Sequence, residues 1–281
     1  MIKVITDSTA DLSPKLCEYY RIERVPLYVY FGKECFRDGI DFSPDEFWEK
    51  LKKSGVFPRT AQPSPVDFSQ KFRGLLDEGN EVLFIGIAAT LSGTVASAGL
   101  AKKELPGAPV EVIDSNNISM GIGLLCVHAA EAVSRGLTLK QVAKKIRNMA
   151  PRLRISFIVD SLDYLYKGGR LSKTQAMCGN ILNIRPRIEM REGQLKAVEK
   201  IRGRKRAVKA LINWAVKEPE KIDPRIIAVT HCDAENEAER IAESLRCMLP
   251  AKEVVITKTG TVMSSHCGPG TVGIGYIEKR A

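Results

Sequence analysis

Two periods of apolar and polar residues alternate along the chain. Ile2–Ile5, Val25–Phe31, Val82–Ile87, Pro109–Ile113, Arg154–Val159, Ile226–Thr230 and Val254–Ile256 are short apolar runs bounded by turn residues. They predict buried strands. Between them lie stretches of helical period: Pro14 to about Tyr20, Pro44 to about Lys53, Val66 to about Glu78, the run after Thr94, Ser119 to Ser134, and Leu137–Met149. Ser13-Pro14, Ser43-Pro44 and Ser64-Pro65 each place a capping hydroxyl before a proline at the first helical position. Strands alternating with helices over 1–150 predict an N-terminal α/β domain, doubly wound around a mainly parallel sheet. From Pro151 the pattern changes. Ile188–Met190, Arg191-Glu192-Gly193-Gln194 and Leu195–Val198 read as a hairpin, and Gly270–Ile277 as a terminal strand. Helices are predicted over Gly203–Val216 and Ala234–Met248. Residues 151–281 are therefore expected to form a C-terminal α/β domain on a mixed sheet with helices, with a ligand at the domain interface.

Composition narrows the function. The N-terminus runs directly into a strand without a signal-peptide pattern, and no apolar run is long enough for a membrane span. The seven cysteines are scattered, with no C-x-x-C pair. A disulfide framework and a cysteine zinc site are not expected, and the protein is expected in a reducing cytoplasm. A net charge of +10 admits an acidic partner. Basic residues gather at Lys167, Arg170, Lys173, Arg185, Arg187, Lys200, Arg202, Arg204, Lys205, Arg206 and Lys209. Such a run is either a solvated face or a docking surface for an acidic protein or phosphate. No basic–aromatic platform accompanies it, so nucleic acid is not an expected partner.

Three stretches carry candidate chemistry. Val82–Ile87 turns through Ala88–Thr94 into a helix; Ser92, Gly93 and Thr94 there form either an anion site at a helix N-terminus or a simple cap. The segment Phe57–Pro65 holds three prolines, which reads as a rigid loop displaying Thr60 and Gln62. His266 sits in a stretch bounded by Gly268, Pro269 and Gly270, read as a turn, where neighbouring Cys267 would point to the opposite face. His128 reads as core and His231 as structural or exposed. Asp7 reads as an organiser of its own loop. No P-loop, GxSxG elbow or HExxH pair is present, and no GxGxxG follows a strand. Ser92 and His266 with some Asp could be drawn as a triad for a stand-alone acyl hydrolase or transferase.

The ordered set Asp7-Ser8-Thr9-Ala10-Asp11-Leu12, Thr60-Ala61-Gln62-Pro63-Ser64, Leu91-Ser92-Gly93-Thr94, Asp114-Ser115, Leu165 to Ser172 (LYKGGRLS) and His266-Cys267-Gly268-Pro269-Gly270 resembles the DegV family. These are bacterial fatty-acid-binding proteins that serve as lipid-carrying subunits of fatty acid kinase. The resemblance implies a two-domain protein, not itself an enzyme, with a long-chain fatty acid in an apolar tunnel and no other cofactor. It implies that Thr60, Ser92, Gly93, Thr94 and His266 hold the carboxylate, and that Arg170 and Arg202 contact the partner or phosphate. The implied partner is a kinase catalytic subunit related to dihydroxyacetone kinases, which forms an acyl phosphate for phospholipid synthesis. A transient contact with a membrane surface is compatible with such a carrier. Where the family usually has Ser between Thr and Gln, this chain has Ala61.

Overall fold

The computed structural model describes residues 1–171 and 183–280. Ser172 and Lys173, named above, lie outside the described residues.

Four strands, β1 (Ile2–Asp7), β2 (Glu23–Val25), β6 (Glu81–Gly86) and β7 (Val110–Asp114), form a parallel sheet in the order β2-β1-β6-β7. Along β6, Val82 and Phe84 enter one apolar cluster while Leu83 and Ile85 enter another. A strand buried on both faces has no polar alternation, which explains its continuous apolar run. Helices Pro65–Asp77 and Thr94–Lys103 cover one face, and Met120–Ser134 and Leu139–Met149 cover the other.

The second sheet is mixed. Its six strands are β8 (Leu153–Ile158), β9 (Ile184–Arg191), β10 (Gln194–Arg202), β11 (Ile227–Cys232), β12 (Val254–Lys258) and β13 (Thr271–Ile277), in the order β10-β9-β8-β13-β11-β12. Only β11 and β12 pair in parallel. One face packs under helices Arg204–Ala215 and Glu235–Met248. The other face contributes Ile155, Phe157, Ile188 and Met190 to the cluster that also holds Val4 and Leu83 of the first sheet. Helix Met120–Ser134 lies in this shared core, with eleven of its fifteen residues buried, His128 among them.

Two expectations need correction. The run Val25–Phe31 is not one strand. Pro26 has no N–H to give to a ladder, so the chain breaks there: β2 ends at Val25, and β3 (Tyr28–Phe31) belongs to a separate sheet. That sheet is antiparallel, order β4-β3-β5, with β4 spanning Glu34–Arg37 and β5 spanning Arg59–Ala61. The second correction is β5 itself, expected as a loop. Pro58 and Pro63 lie outside its three paired residues, and β5 is an edge strand, where prolines nearby are tolerated.

Candidate functional site

The loop after β1 is organised by one buried carboxylate. Asp7 Oδ1 accepts from the Thr9 N–H at 3.0 Å and from the Thr9 hydroxyl, and Oδ2 accepts from the Ile87 N–H at 2.8 Å. It thereby ties the β1 loop to the β6 loop. Burial pushes the Asp7 pKa up to about 6, against the opposing pull of those hydrogen bonds. Asp11 and Asp38, also buried, are raised for the same first reason. Their carboxylates reach across to the second half of the chain. Asp11 Oδ1 accepts from the Gly260 N–H at 2.8 Å, and Asp38 Oδ1 accepts from the Thr261 N–H and hydroxyl, both at 2.7 Å.

Gly260 and Thr261 open a seven-residue helix, Thr261–Cys267, so these carboxylates satisfy donors its first turn leaves free. His266 stands in its last turn. This corrects the expected turn: Gly268, at φ +77°, ends a helix there. Neighbours on a helix diverge by about 100°, so His266 and Cys267 need not face opposite ways. Both line one cavity.

That cavity has a volume of about 470 Å³. Thr60 and Ala61 enter it from β5, Leu91, Ser92 and Gly93 from the loop after β6, and Arg170 from the segment after helix Asp163–Lys167. Leu195 joins them from β10. Leu27, Ile87, Ile118, Val262 and Met263 supply apolar wall. Among the described lining residues there is no carboxylate, and Arg170 is the only fixed positive charge. The hairpin turn between β9 and β10 closes over one side: the Gly193 carbonyl accepts from the Thr90 hydroxyl.

Within the cavity, His266 Nε2 and Thr60 Oγ1 lie 2.8 Å apart. His266 Nδ1 is buried without a hydrogen-bond partner, against Gly168. Burial first, then the nearby Arg170 charge, pushes the His266 pKa down to about 3, so the ring is neutral at physiological pH. Ser92 Oγ and Thr94 Oγ1 lie 2.8 Å apart. The helix Thr94–Lys103 has Gly93 at its N-cap, and Ser92 Oγ accepts from the Thr94 N–H at 3.4 Å. The remaining N–H groups of the first turn and its positive dipole end lie beside Ser92. Arg170 donates through Nε to the Leu91 carbonyl at 3.2 Å and through Nη1 to the Gly168 carbonyl at 2.7 Å. It joins the two halves of the site, and burial lowers its pKa from the usual range.

The fold thus brings Thr60, Ser92, Gly93, His266 and Arg170 around one space. Thr94 is fully buried behind Ser92, and Arg202 is exposed at the end of β10, outside the lining. Three members of the basic run are paired: Arg185 and Arg204 with Asp160, Arg187 with Glu189 and Glu199. His231 is buried, and its Nδ1 accepts from the Ala234 N–H at 3.4 Å. Ser64 caps its helix in a reciprocal box with Asp67. Among the described residues, no group of three or more His, Cys, Asp or Glu side chains is placed to hold a metal ion, and no helix is long and apolar enough to cross a membrane.

Two close approaches were not legible beforehand. The Gln62 amide donates to Ser97 Oγ at 3.0 Å and lies where a Cβ on residue 93 would stand, so Gly93 is required by close approach. Gly168 plays the same part for His266: an added Cβ would overlap the ring nitrogen Nδ1. Gly168→Ala is expected to push the imidazole off Thr60 and cost about 1–3 kcal/mol of stability, as overpacking does. Thermal denaturation together with the His266 ring resonances checks this. An unchanged melting temperature and an unmoved ring would refute it.

The family model described as "Uncharacterised protein, DegV family" matches residues 1–279. A protein of Thermotoga maritima called a fatty acid-binding protein is 36% identical over 288 aligned positions, covering 99% of both chains. Among solved structures, a DegV family protein from Thermus thermophilus, described for its fatty acid binding, superposes with a TM-score of 0.91 at 33% identity, covering 99% of each chain. A stearic acid-binding protein from Eubacterium ventriosum superposes at 0.88 with 29% identity, again covering 99% of each chain.

Proposed function

The chain belongs to the DegV family, and from that premise we propose that it binds a long-chain fatty acid in the cavity and presents its carboxylate to a separate kinase. The observation that carries the first half is the chemistry of the lining. Thr60, Ser92 and the Gly93 backbone gather at one side with neutral His266 and Arg170, and the rest of the wall is largely apolar. A fatty acid matches both: an anion for hydroxyls, N–H groups and a cation, and a tail for the apolar wall. Thr94 supports the head group through Ser92. Ala61 lines the same cavity, so the hydroxyl that relatives usually carry there is missing at the site itself. Loss of one such bond weakens binding by about 0.5–1.5 kcal/mol, which a long tail outweighs.

The second half rests on the resemblance. The kinase, related to dihydroxyacetone kinases, would supply ATP: a carboxylate oxygen attacks the γ-phosphorus, ADP leaves, and an acyl phosphate forms. Arg170 and exposed Arg202 are the cations assigned to that encounter. The hydrolase reading is less well supported. His266 Nε2 faces Thr60, Ser92 Oγ faces Thr94, and His266 Nδ1 meets no carboxylate.

Mass spectrometry of the organic extract of purified protein tests the carrier reading. A stoichiometric long-chain acid is expected, its retention reduced about tenfold or more by Thr60→Val combined with Ser92→Ala, through loss of charge-assisted hydrogen bonds of about 1.5–3 kcal/mol. An empty protein that takes up no added acid would overturn it. Ester turnover abolished by Ser92→Ala would favour the hydrolase instead.

A further inference from the structure

A second concave site lies at the far end of the six-stranded sheet. β8 starts beside Arg152 and runs toward the segment carrying Arg170, while β13 runs the opposite way and ends before Lys279. Six strand residues at about 3.3 Å each separate the two ends by about 20 Å. At this far end helix Leu139–Met149, the turn at Asp223-Pro224-Arg225 and the chain after β13 enclose about 590 Å³. Six cationic side chains line it, Lys144, Lys145, Arg152, Arg225, Lys279 and Arg280, against the single carboxylate of Asp223.

That carboxylate is already occupied. Both its oxygens accept from Arg225, at 2.6–3.1 Å, and Arg225 also lies 3.5 Å from Glu131. Arg152 is fixed by donating to the Glu278 carbonyl at 2.8 Å. Lys144, Lys145 and Lys279 enter no ion pair among the described residues, although Arg147 of the same helix pairs with Glu111. Two held guanidinium groups and three unpaired ammonium groups around one hollow leave a positive field that Asp223 and Glu131 balance only in part. The field acts on its surroundings. Lys145 is lowered by burial and by the charges of Arg225 and Arg135. His128, buried nearby with its Nδ1 3.6 Å from Glu131, is pushed down to about 4 by burial and then by Arg225, Lys145 and Arg152.

From this geometry we infer a binding site for a small phosphate-bearing polyanion, lined by Lys144, Lys145, Arg152, Arg225 and Lys279 and separate from the fatty-acid cavity. Phosphate fits the donor set: the ammonium groups of Lys144, Lys145 and Lys279 can donate to its oxygens, and the held guanidinium groups of Arg152 and Arg225 add fixed positive charge beside them. The hollow favours a compact ligand over an extended acidic surface. The inference does not depend on fatty-acid binding, since none of these residues lines that cavity.

Isothermal titration with inorganic pyrophosphate tests it on the whole chain. Saturable binding at or below about 1 mM is expected, weakening as salt rises. Lys144→Ala with Lys145→Ala should weaken it by about tenfold or more, and alanine suits the helix. Lys209→Ala, which removes an exposed charge elsewhere, should leave it unchanged. Pyrophosphate should also move the His128 titration to higher pH, a response that non-specific surface binding would not give. Phosphatidylglycerol vesicles form the other arm. Retention on them that the lysine pair controls would identify the phosphate as a lipid headgroup, whereas binding of pyrophosphate alone would identify a free ligand. Absence of both, or equal losses from Lys209→Ala and the lysine pair, would overturn the site.

Discussion

Replacing Asp7 by alanine is expected to lower stability by about 2–4 kcal/mol, since buried donors left without an acceptor cost about 1–3 kcal/mol each. Three donors converge on that carboxylate, from Thr9 and Ile87, and Asp7 is fully buried. Removing a buried charge offsets part of the loss, which keeps the estimate below the sum. Asp7→Asn separates the two effects through pH. The folded-state pKa of about 6 stands above the unfolded value of 3.8, so the fold binds this proton more tightly than the unfolded chain does. The stabilising contribution is then complete below about pH 4 and is lost as pH rises through about 6, a span worth about 3 kcal/mol. Asn does not titrate, so the wild type should lead the variant most at pH 4 and least at pH 7. Asp11 and Asp38 are raised in the same direction and are present in both proteins, so the difference reports Asp7 together with its charge coupling to Asp11. Denaturant midpoints of the two proteins at matched pH values give the answer. A lead that widens as pH rises would mean that the hydrogen bonds outweigh burial.

Shortening the acyl chain should have the other large effect. Each methylene withdrawn from an apolar environment costs about 0.8 kcal/mol, about three- to fourfold in affinity. Hexadecanoate should therefore bind over a hundredfold more tightly than dodecanoate, a difference of about 3 kcal/mol across four methylenes. That exceeds the expected loss of any one head-group bond, because the carboxylate exchanges one set of hydrogen bonds in water for another in the protein. Displacement of a fluorescent fatty acid by a series of acids measures the slope. A flat response across the series would place the tail outside the cavity.

What the chain revealed in advance divides along physical lines. Strands such as Val82–Ile87 are legible because burial on both faces leaves an apolar run that little else produces. The loop after β6 stood out as a candidate, anion site or cap, because strand, turn and helix follow in order. The hidden parts depend on partners far away in sequence. β5 has three residues and exists through pairing with β3, so the prolines around it dominate any local reading. Helix Thr261–Cys267 is too short for its period to register between Gly260 and Gly268. Pro26 was a signal in plain view, the residue that splits Val25–Phe31. Gly168 and Gly93 are glycines because of what stands against them, His266 and Gln62, and spacing carries no trace of that. The basic run shows the converse. Its members looked alike as letters, yet carboxylates neutralise Arg185, Arg187 and Arg204 while Arg202 stays exposed.

The helix bearing His266 also bears on the order in which the protein is made. A seven-residue helix does not persist alone in water, and the first turn of this one is held by Asp11 and Asp38, more than two hundred residues earlier. Contacts of such separation form late, after shorter loops have closed. On the ribosome, the β1 and β6 loops are made before the segment Thr261–Cys267, and His266 cannot meet Thr60 until that segment has emerged. A nascent chain therefore passes through a stage with its first sheet formed and its cavity unfinished. Completion of the cavity thus waits on the segment Thr261–Cys267 rather than on the first sheet.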